Sequence, residues 1–265
     1  MRCVIVIPVY KENPDKDEFV SLIQCLRILN NYDICLIVPN NLNISNYSSI
    51  FIRYNIRLNV KYFDPFYFKG ISGYNRLMLS RDFYCSFEFY DYMLIYQLDA
   101  YVFRDDLMYW CKKNYDYIGA PWLYSDGSFN KKISGNGGLS LRRIRSFIDL
   151  FNMSGKLFSY EGLFSYLENR GFIHRFFYYV RILLFGGNTL DYLISINEQN
   201  EDRFYASLKY KLLNPFKVPD YKESMFFSFE CSPNLLFKET LEELPFGCHA
   251  WRKNFSFWEK YIKVD

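Results

Sequence analysis

Asp99 closes the run Tyr92-Met-Leu-Ile-Tyr-Gln-Leu-Asp99-Ala-Tyr101, which is largely apolar until it reaches the carboxylate. With Tyr90-Asp91 before it and Arg104-Asp105-Asp106 after it, the run reads as a strand buried on both faces. Open α/β sheets bind ligands at the carboxyl ends of their strands, so a carboxylate there suits a cation on a diphosphate. Asp99 and Tyr101 are two apart, which on an extended chain sends both side chains to one face and toward one ligand. The competing reading is structural: Asp99 caps a helix starting near Asp106 or closes a turn.

Three further groups have types and spacing that admit chemistry or plain structure. Ser134-Gly-Asn136-Gly137-Gly138-Leu-Ser-Leu-Arg142 puts three glycines in four residues ahead of an alternating strand, either a loop that brings backbone amides against a ligand or a tight turn. Glu201-Asp202 opens a helical run, where first-turn carboxylates are ordinary dipole partners. His249 is one of two histidines and follows Gly247-Cys248; on its own it reads as a structural hydrogen-bonder.

The elements that must position these groups alternate. Cys3 to Ile7 is a strand ended by Pro8, and Asn13-Pro14 offers a helix cap with proline in the first turn of a helix to about Leu29. Strands follow at Asp33 to Val38 and Val60 to Phe63, with a helix at Tyr47 to Tyr54 between them. Ser72 caps a helix from Gly73 to Cys85 whose apolar positions include Leu77, Phe83 and Tyr84. Residues 144 to 212 read as mostly helical, and the tail from Pro219 as irregular, with a strand at Phe226 to Cys231. This is α/β: a mostly parallel central sheet flanked by helices, with a largely helical second half.

The 265 residues form one domain, with no repeat, low-complexity tract or linker. The net charge of +3 is spread along the chain and argues against a nucleic-acid partner. Seven cysteines, odd in number and without zinc spacing, point to a reducing cytoplasm, and no stretch has the length of a membrane span. The block HRFFYYVRILLF from His174 to Phe185 reads as a buried helix; the competing reading lays it in a membrane interface, with peripheral attachment. After the first strand, Pro8-Val9-Tyr10-Lys11-Glu12 lacks the glycine fingerprint of a dinucleotide site, and there is no Walker loop.

Taken in order, the blocks QLDAYVFRDDL, YIGAPW, GNGGLSLR, NEDRF and LPFGCHAW resemble those of a bacterial family of glycosyltransferases, and the whole resembles the GT-A type that uses nucleotide sugars. That resemblance implies a nucleotide-sugar-binding half at 1–103 and an acceptor-binding, catalytic half at 104–265. It implies a hexosyltransferase taking a nucleoside-diphosphate sugar, UDP-sugars favoured, to a glycan or lipid-linked glycan of the bacterial surface, such as O-antigen or capsule.

Residue by residue, the resemblance makes Asp99 the first carboxylate of the Asp-x-Asp that holds a divalent cation, but Tyr101 stands at the second position. His249 matches a late histidine ligand, and an imidazole favours Mn²⁺ over Mg²⁺. Asn200-Glu201-Asp202 matches the triplet of inverting enzymes whose Asp is the general base, with Glu201 beside it as a second catalytic carboxylate. Pro8, Val9 and Tyr10 then face the nucleotide; Tyr74, Asn75 and Arg76 open the helix before the key strand, with Arg76 toward the diphosphate. Gln97, Ala100 and Tyr101 join Asp99 at the strand end, and Asn136, Gly137 and Gly138 line the sugar pocket. Trp122 and Trp251 are candidate stacking platforms. Two rivals remain: a nucleotidyltransferase, which needs a glycine-rich loop after the first strand, and a non-catalytic glycan-binding protein on the same fold.

Overall fold

The computed structural model describes residues 1–264 except 125, 154–170, 186–188, 196 and 209–215. In chain order the first part runs β1 (Cys3–Pro8), α1 (Lys16–Ile28), β2 (Asp33–Pro39), α2 (Ser45–Arg53), β3 (Leu58–Phe63), α3 (Gly70–Met78), α4 (Arg81–Cys85) and β4 (Tyr92–Tyr96). Then come β5 (Tyr101–Val102), α5 (Leu107–Lys112), β6 (Tyr117–Gly119), β7 (Pro121–Leu123), β8 (Phe129–Ser134), β9 (Leu139–Arg143) and α6 (Ile144–Asn152). The rest holds α7 (Phe172–Phe185), α8 (Leu190–Ser195), α9 (Glu201–Ser207), α10 (Tyr221–Phe227), β10 (Ser228–Phe229), α11 (Pro233–Glu239), β11 (Gly247–Cys248) and α12 (Phe255–Trp258).

The main sheet has the order β3-β2-β1-β4-β9-β6. β3, β2, β1 and β4 are parallel, and β9 runs against both β4 and β6. Alternating residues of β1 feed two cores: Val4 and Val6 on one face, Cys3, Ile5 and Ile7 on the other. β4 divides the same way, so both faces are covered and the strand is apolar throughout. Because β9 is antiparallel to β4 with Tyr96 opposite Leu139, the glycine loop leading into β9 lies at the carboxyl end of β4. Gln97 N–H donates to the Gly138 carbonyl at 2.9 Å and fastens the two ends together. A small sheet β10-β11-β5 adjoins this edge, over a third cluster built around Trp251 and Trp258.

Several boundaries depart from the sequence reading for identifiable reasons. α1 is capped by Asp15, not Asn13: Asp15 and Glu18 exchange side-chain-to-backbone bonds at 2.9 Å, a reciprocal cap that satisfies two donors and outweighs the proline signal. The helix expected from Gly73 to Cys85 breaks at Leu79–Ser80, because Ser80 caps a new helix and the hydroxyls of Tyr84 and Tyr205 take the Met78 carbonyl. Ser72 lies inside α3 and caps nothing. β9, expected to be half-buried, is an inner strand with Ser140 and Arg142 fully buried. The late strand is only Ser228–Phe229. The described parts of 144–212 are mainly helical, and the remainder lies outside the described residues.

Helix α7 corrects the expectation of a buried helix. Phe172, Ile173, Phe176, Phe177 and Leu184 are exposed, Phe172 at 83% and Phe177 at 66%, while Tyr178 is buried against the core and Ile182 packs partly against it.

Candidate active site

Residues from seven stretches of the chain converge on one cleft of about 780 Å³ at the carboxyl edge of β1 and β4. Asp99, Asp202 and His249 all line it, as do Glu201, Gln97, Asn136, Gly137 and Gly138. Pro8 and Tyr10 reach it from the end of β1, and Tyr74 and Asn75 from α3. Another cavity of about 640 Å³, around Arg2, Asp33 and Arg57, contains none of the sequence-predicted residues.

Each group is placed by local structure. β4 ends at Tyr96, and Gln97 to Ala100 form a turn closed by the Ala100 N–H on the Gln97 carbonyl at 2.8 Å. Asp99 therefore sits half-exposed on a turn and does not share a strand face with Tyr101. Tyr101 belongs to β5, is buried, and packs on Phe103 with ring centroids 5.3 Å apart. The loop before β9 is pinned by Asn136, whose Oδ1 accepts from Gly138 N–H at 3.0 Å. Its glycines are required by crowding: a Cβ on Gly137 would lie 2.7 Å from Glu201 Oε1.

The two neighbouring carboxylates of α9 have different environments. Glu201 Oε1 takes the guanidinium of Arg142 at 3.1 Å, and Arg142, wholly buried, also bonds Ser140 Oγ and the Tyr84 hydroxyl. Glu201 is thus tied into the core. Asp202 accepts from Gly137 N–H at 3.1 Å and from the Arg203 N–H at 2.6 Å. Burial, then the charge of Glu201, push the Asp202 carboxyl up to about 6 against those two bonds.

His249 continues β11 into the cleft. Its Nε2 is 3.1 Å from Asp99 Oδ1 and 3.1 Å from Gln97 Oε1, and its Nδ1 is 3.3 Å from Glu230 Oε1. Burial opposes charge on the ring, but the Asp99 and Glu230 carboxylates outweigh it and raise the imidazole to about 9. Burial likewise works to raise Asp99, and the bond and charge of His249 more than reverse it, leaving that carboxyl below its ordinary value.

Four predicted residues lie elsewhere. Val9 and Ala100 are core residues, Tyr101 is in the third cluster, and Arg76 stands over the Phe66 ring at 5.2 Å. Trp251 is fully buried with Nε1 on Ser21 Oγ, so it is no stacking surface, and Trp122 packs partly buried beside Arg203. The cleft also contains residues the sequence reading missed, chiefly Glu230, Arg252 and Lys253. Their signal was proximity to the Cys248-His249 block, since Arg252 and Lys253 follow within four residues of His249; Glu230 gave none.

A cation fits this donor set: Asp99 Oδ1, Gln97 Oε1 and His249 Nε2 present oxygen and nitrogen donors within 3.1 Å of the ring nitrogen. Among the described residues no cluster of three or more His, Cys, Asp or Glu side chains has metal-site geometry, so ligands beyond these would come from the substrate or water.

The glycosyltransferase GlyE of Streptococcus pneumoniae TIGR4, in its apo form, superposes with a TM-score of 0.51 at 13% identity, over 94% of this chain and 54% of GlyE. This chain therefore spans about half the length of that protein. An active-site mutant of LgtC gives 0.49 at 14% identity over 93% and 86% of the two chains. Core-mannan synthase A from Aspergillus fumigatus, in an Mn/GDP form, gives 0.48 at 9% identity over 84% and 73%. The fold is that of the GT-A glycosyltransferases. Comparison with curated proteins finds no match. Residues 57–249, most of the chain, match the family described as Protein of unknown function (DUF5672), and the chain belongs to that family.

Proposed function

We propose that this chain is an inverting hexosyltransferase that moves a sugar from a nucleoside-diphosphate donor, UDP-sugars favoured, to a hydroxyl of a bacterial surface glycan such as O-antigen or capsule. The observation that carries the reading is the convergence of Asp99, Asp202 and His249, separated by up to 150 residues of sequence, on one cleft at the sheet's carboxyl edge. Open α/β folds put ligands there.

In this reading Tyr10, 61% exposed at the cleft wall, stacks on the base, and Asn136, Gly137 and Gly138 contact the sugar. Asp202 takes the proton of the acceptor hydroxyl, whose oxygen attacks the anomeric carbon as the bond to the diphosphate breaks. A base of this kind contributes about 10²- to 10⁴-fold, and a carboxyl titrating near 6 is ionised at neutral pH yet basic enough to accept a proton. A divalent cation held by Asp99 and His249 would neutralise charge on the leaving diphosphate. Arg252 and Lys253 add positive charge on the same side. Glu201, held by Arg142, keeps the neighbouring Asp202 in place.

A cytoplasmic location, peripheral at the inner face of the membrane, is part of this reading. The seven cysteines form no disulfide, which supports a reducing cytoplasm. No helix among the described residues is long and apolar enough to cross a membrane. The exposed phenylalanines of α7, with His174, Arg175 and Arg181 and no acidic residue on the helix, support peripheral contact with an anionic bilayer, where a lipid-linked acceptor would be met.

The test is a thermal-shift screen of nucleoside diphosphates and their sugars with and without Mn²⁺, followed by assay of nucleoside diphosphate release. A ligand that binds only the folded chain raises the melting temperature. Binding with release identifies the donor, whereas binding without release with every acceptor tried makes the chain a non-catalytic binder.

A further inference from the structure

Glu230 is a partly buried carboxylate that the reaction above does not use. β10 pairs in parallel with β11, Phe229 opposite Cys248, so the next residues of the two strands, Glu230 and His249, come side by side. His249 N–H extends the ladder onto the Phe229 carbonyl at 2.8 Å. On its other side β11 is antiparallel to β5, Cys248 opposite Tyr101, which brings the turn carrying Asp99 to the far side of the imidazole. The small sheet thus lines up carboxylate, imidazole and carboxylate: Glu230 Oε1 3.3 Å from Nδ1, and Asp99 Oδ1 3.1 Å from Nε2.

We infer that Glu230 is the positioning residue that decides which ring nitrogen of His249 serves the cation, an inference that rests on the cation part of the function proposed above. A neutral imidazole carries one N–H, and an ionised carboxylate only accepts. A cation taken up beside Asp99 and Gln97 would displace the Nε2 hydrogen, and Glu230 would hold the one that remains on Nδ1. The ring has little freedom to choose otherwise, since Gly138 walls it in and its side chain is 11% exposed. Glu230 is itself fixed, 13% exposed, with its backbone carbonyl bound by Asn254 Nδ2 at 3.2 Å. Tyr101 occupies the place where a second ligating carboxylate was expected, and Glu230 supplies its negative charge from behind the imidazole instead of at the ion.

Outer partners of ligating histidines typically contribute about 10- to 100-fold to metal affinity. The experiment titrates Mn²⁺, followed by its electron paramagnetic resonance, into wild type, Glu230→Gln and Glu230→Ala, alone and with UDP or GDP. Glu230→Ala should weaken Mn²⁺ binding about 10- to 100-fold, and Glu230→Gln less, because its amide oxygen still accepts from Nδ1. Imidazole ¹⁵N spectra of wild type saturated with diamagnetic Cd²⁺, which accepts imidazole nitrogen, should show His249 protonated on Nδ1 alone, with His174 as internal reference; this arm needs no variant to fold. Equal Mn²⁺ affinity in all three proteins, or His249 bound to Cd²⁺ through Nδ1 with its hydrogen on Nε2, overturns the inference and leaves the cation reading standing. No Mn²⁺ binding by wild type, with or without nucleotide, removes the cation reading and this inference with it, while nucleotide release in EDTA would show that transfer itself survives.

Discussion

A Cβ added to Gly138 would lie 2.0 Å from Nε2 of His249, the nitrogen that faces Asp99. The imidazole fills the space a side chain would need, so the glycine loop and the late histidine, 111 positions apart in sequence, are packed as one unit.

Gly138→Ala is therefore a probe of the histidine's position. The Gly138 backbone is not left-handed, so alanine is acceptable to the chain and the nearest obstruction is the ring. Overpacking of this sort costs about 1–3 kcal/mol of stability. Turnover should fall by at least roughly tenfold as the ring is pushed from the site, since misplacing a reacting group by about 1 Å can cost 10²-fold. Steady-state kinetics beside urea unfolding measure both, and unchanged turnover would mean that the Nε2 position is immaterial.

Asp202 should reveal itself in two pH profiles. As the base it must be ionised, so kcat/KM should fall on the acid side with an apparent pKa near 6. Its pKa is raised on folding from 3.8, so its stabilising contribution is fully present below the lower value and lost as pH rises through about 6. Replacing it by Asn removes that loss. The melting temperature of Asp202→Asn relative to wild type should rise between about pH 4 and pH 7, by the equivalent of about 1–3 kcal/mol, while turnover drops 10²- to 10⁴-fold. A stability difference that stays flat across that range would count against a buried, titrating Asp202.

The Arg142–Glu201 pair, both side chains buried, is the anchor of α9. Breaking such a pair on one side strands a charge and costs about 3–5 kcal/mol. Arg142→Met should lower stability by that amount in urea unfolding, and Arg142→Met with Glu201→Gln should recover part of it. A double variant no better than the single one would mean that the other bonds of Arg142, to Tyr84 and Ser140, carry its value.

The outward face of α7 should bind anionic vesicles. Phe176 and Phe177 are exposed, and replacing both by Asp removes apolar area while adding charge of the wrong sign. Cosedimentation with vesicles containing phosphatidylglycerol should drop sharply in that variant, with activity on a water-soluble acceptor unchanged. Equal sedimentation would dismiss the bilayer as the partner.

Much of the parallel half was legible because its signals are local. The apolar runs of β1, β2 and β4 and the turns between them follow from residues within a few positions of one another. Boundaries failed where side-chain bonds decided them: the Asp15–Glu18 reciprocal cap moved the start of α1, and tyrosines from other segments ended α3 at Met78. The shared face imagined for Asp99 and Tyr101 failed because the strand stops at Tyr96.

What residue type and order determined on their own was the architecture and the inventory of groups with useful chemistry: a carboxylate at a strand end, a glycine loop, paired carboxylates opening a helix and a late histidine. What only the tertiary structure decided was which of these meet and in what state. The antiparallel entry of β9 carries the glycine loop to Asp99, and the pairing of β10 with β11 sets Glu230 against His249. The burial of Arg142 separates the environments of Glu201 and Asp202. Those outcomes depend on contacts between residues far apart in the chain, and on the low-dielectric surroundings that such contacts create, neither of which is carried by local sequence.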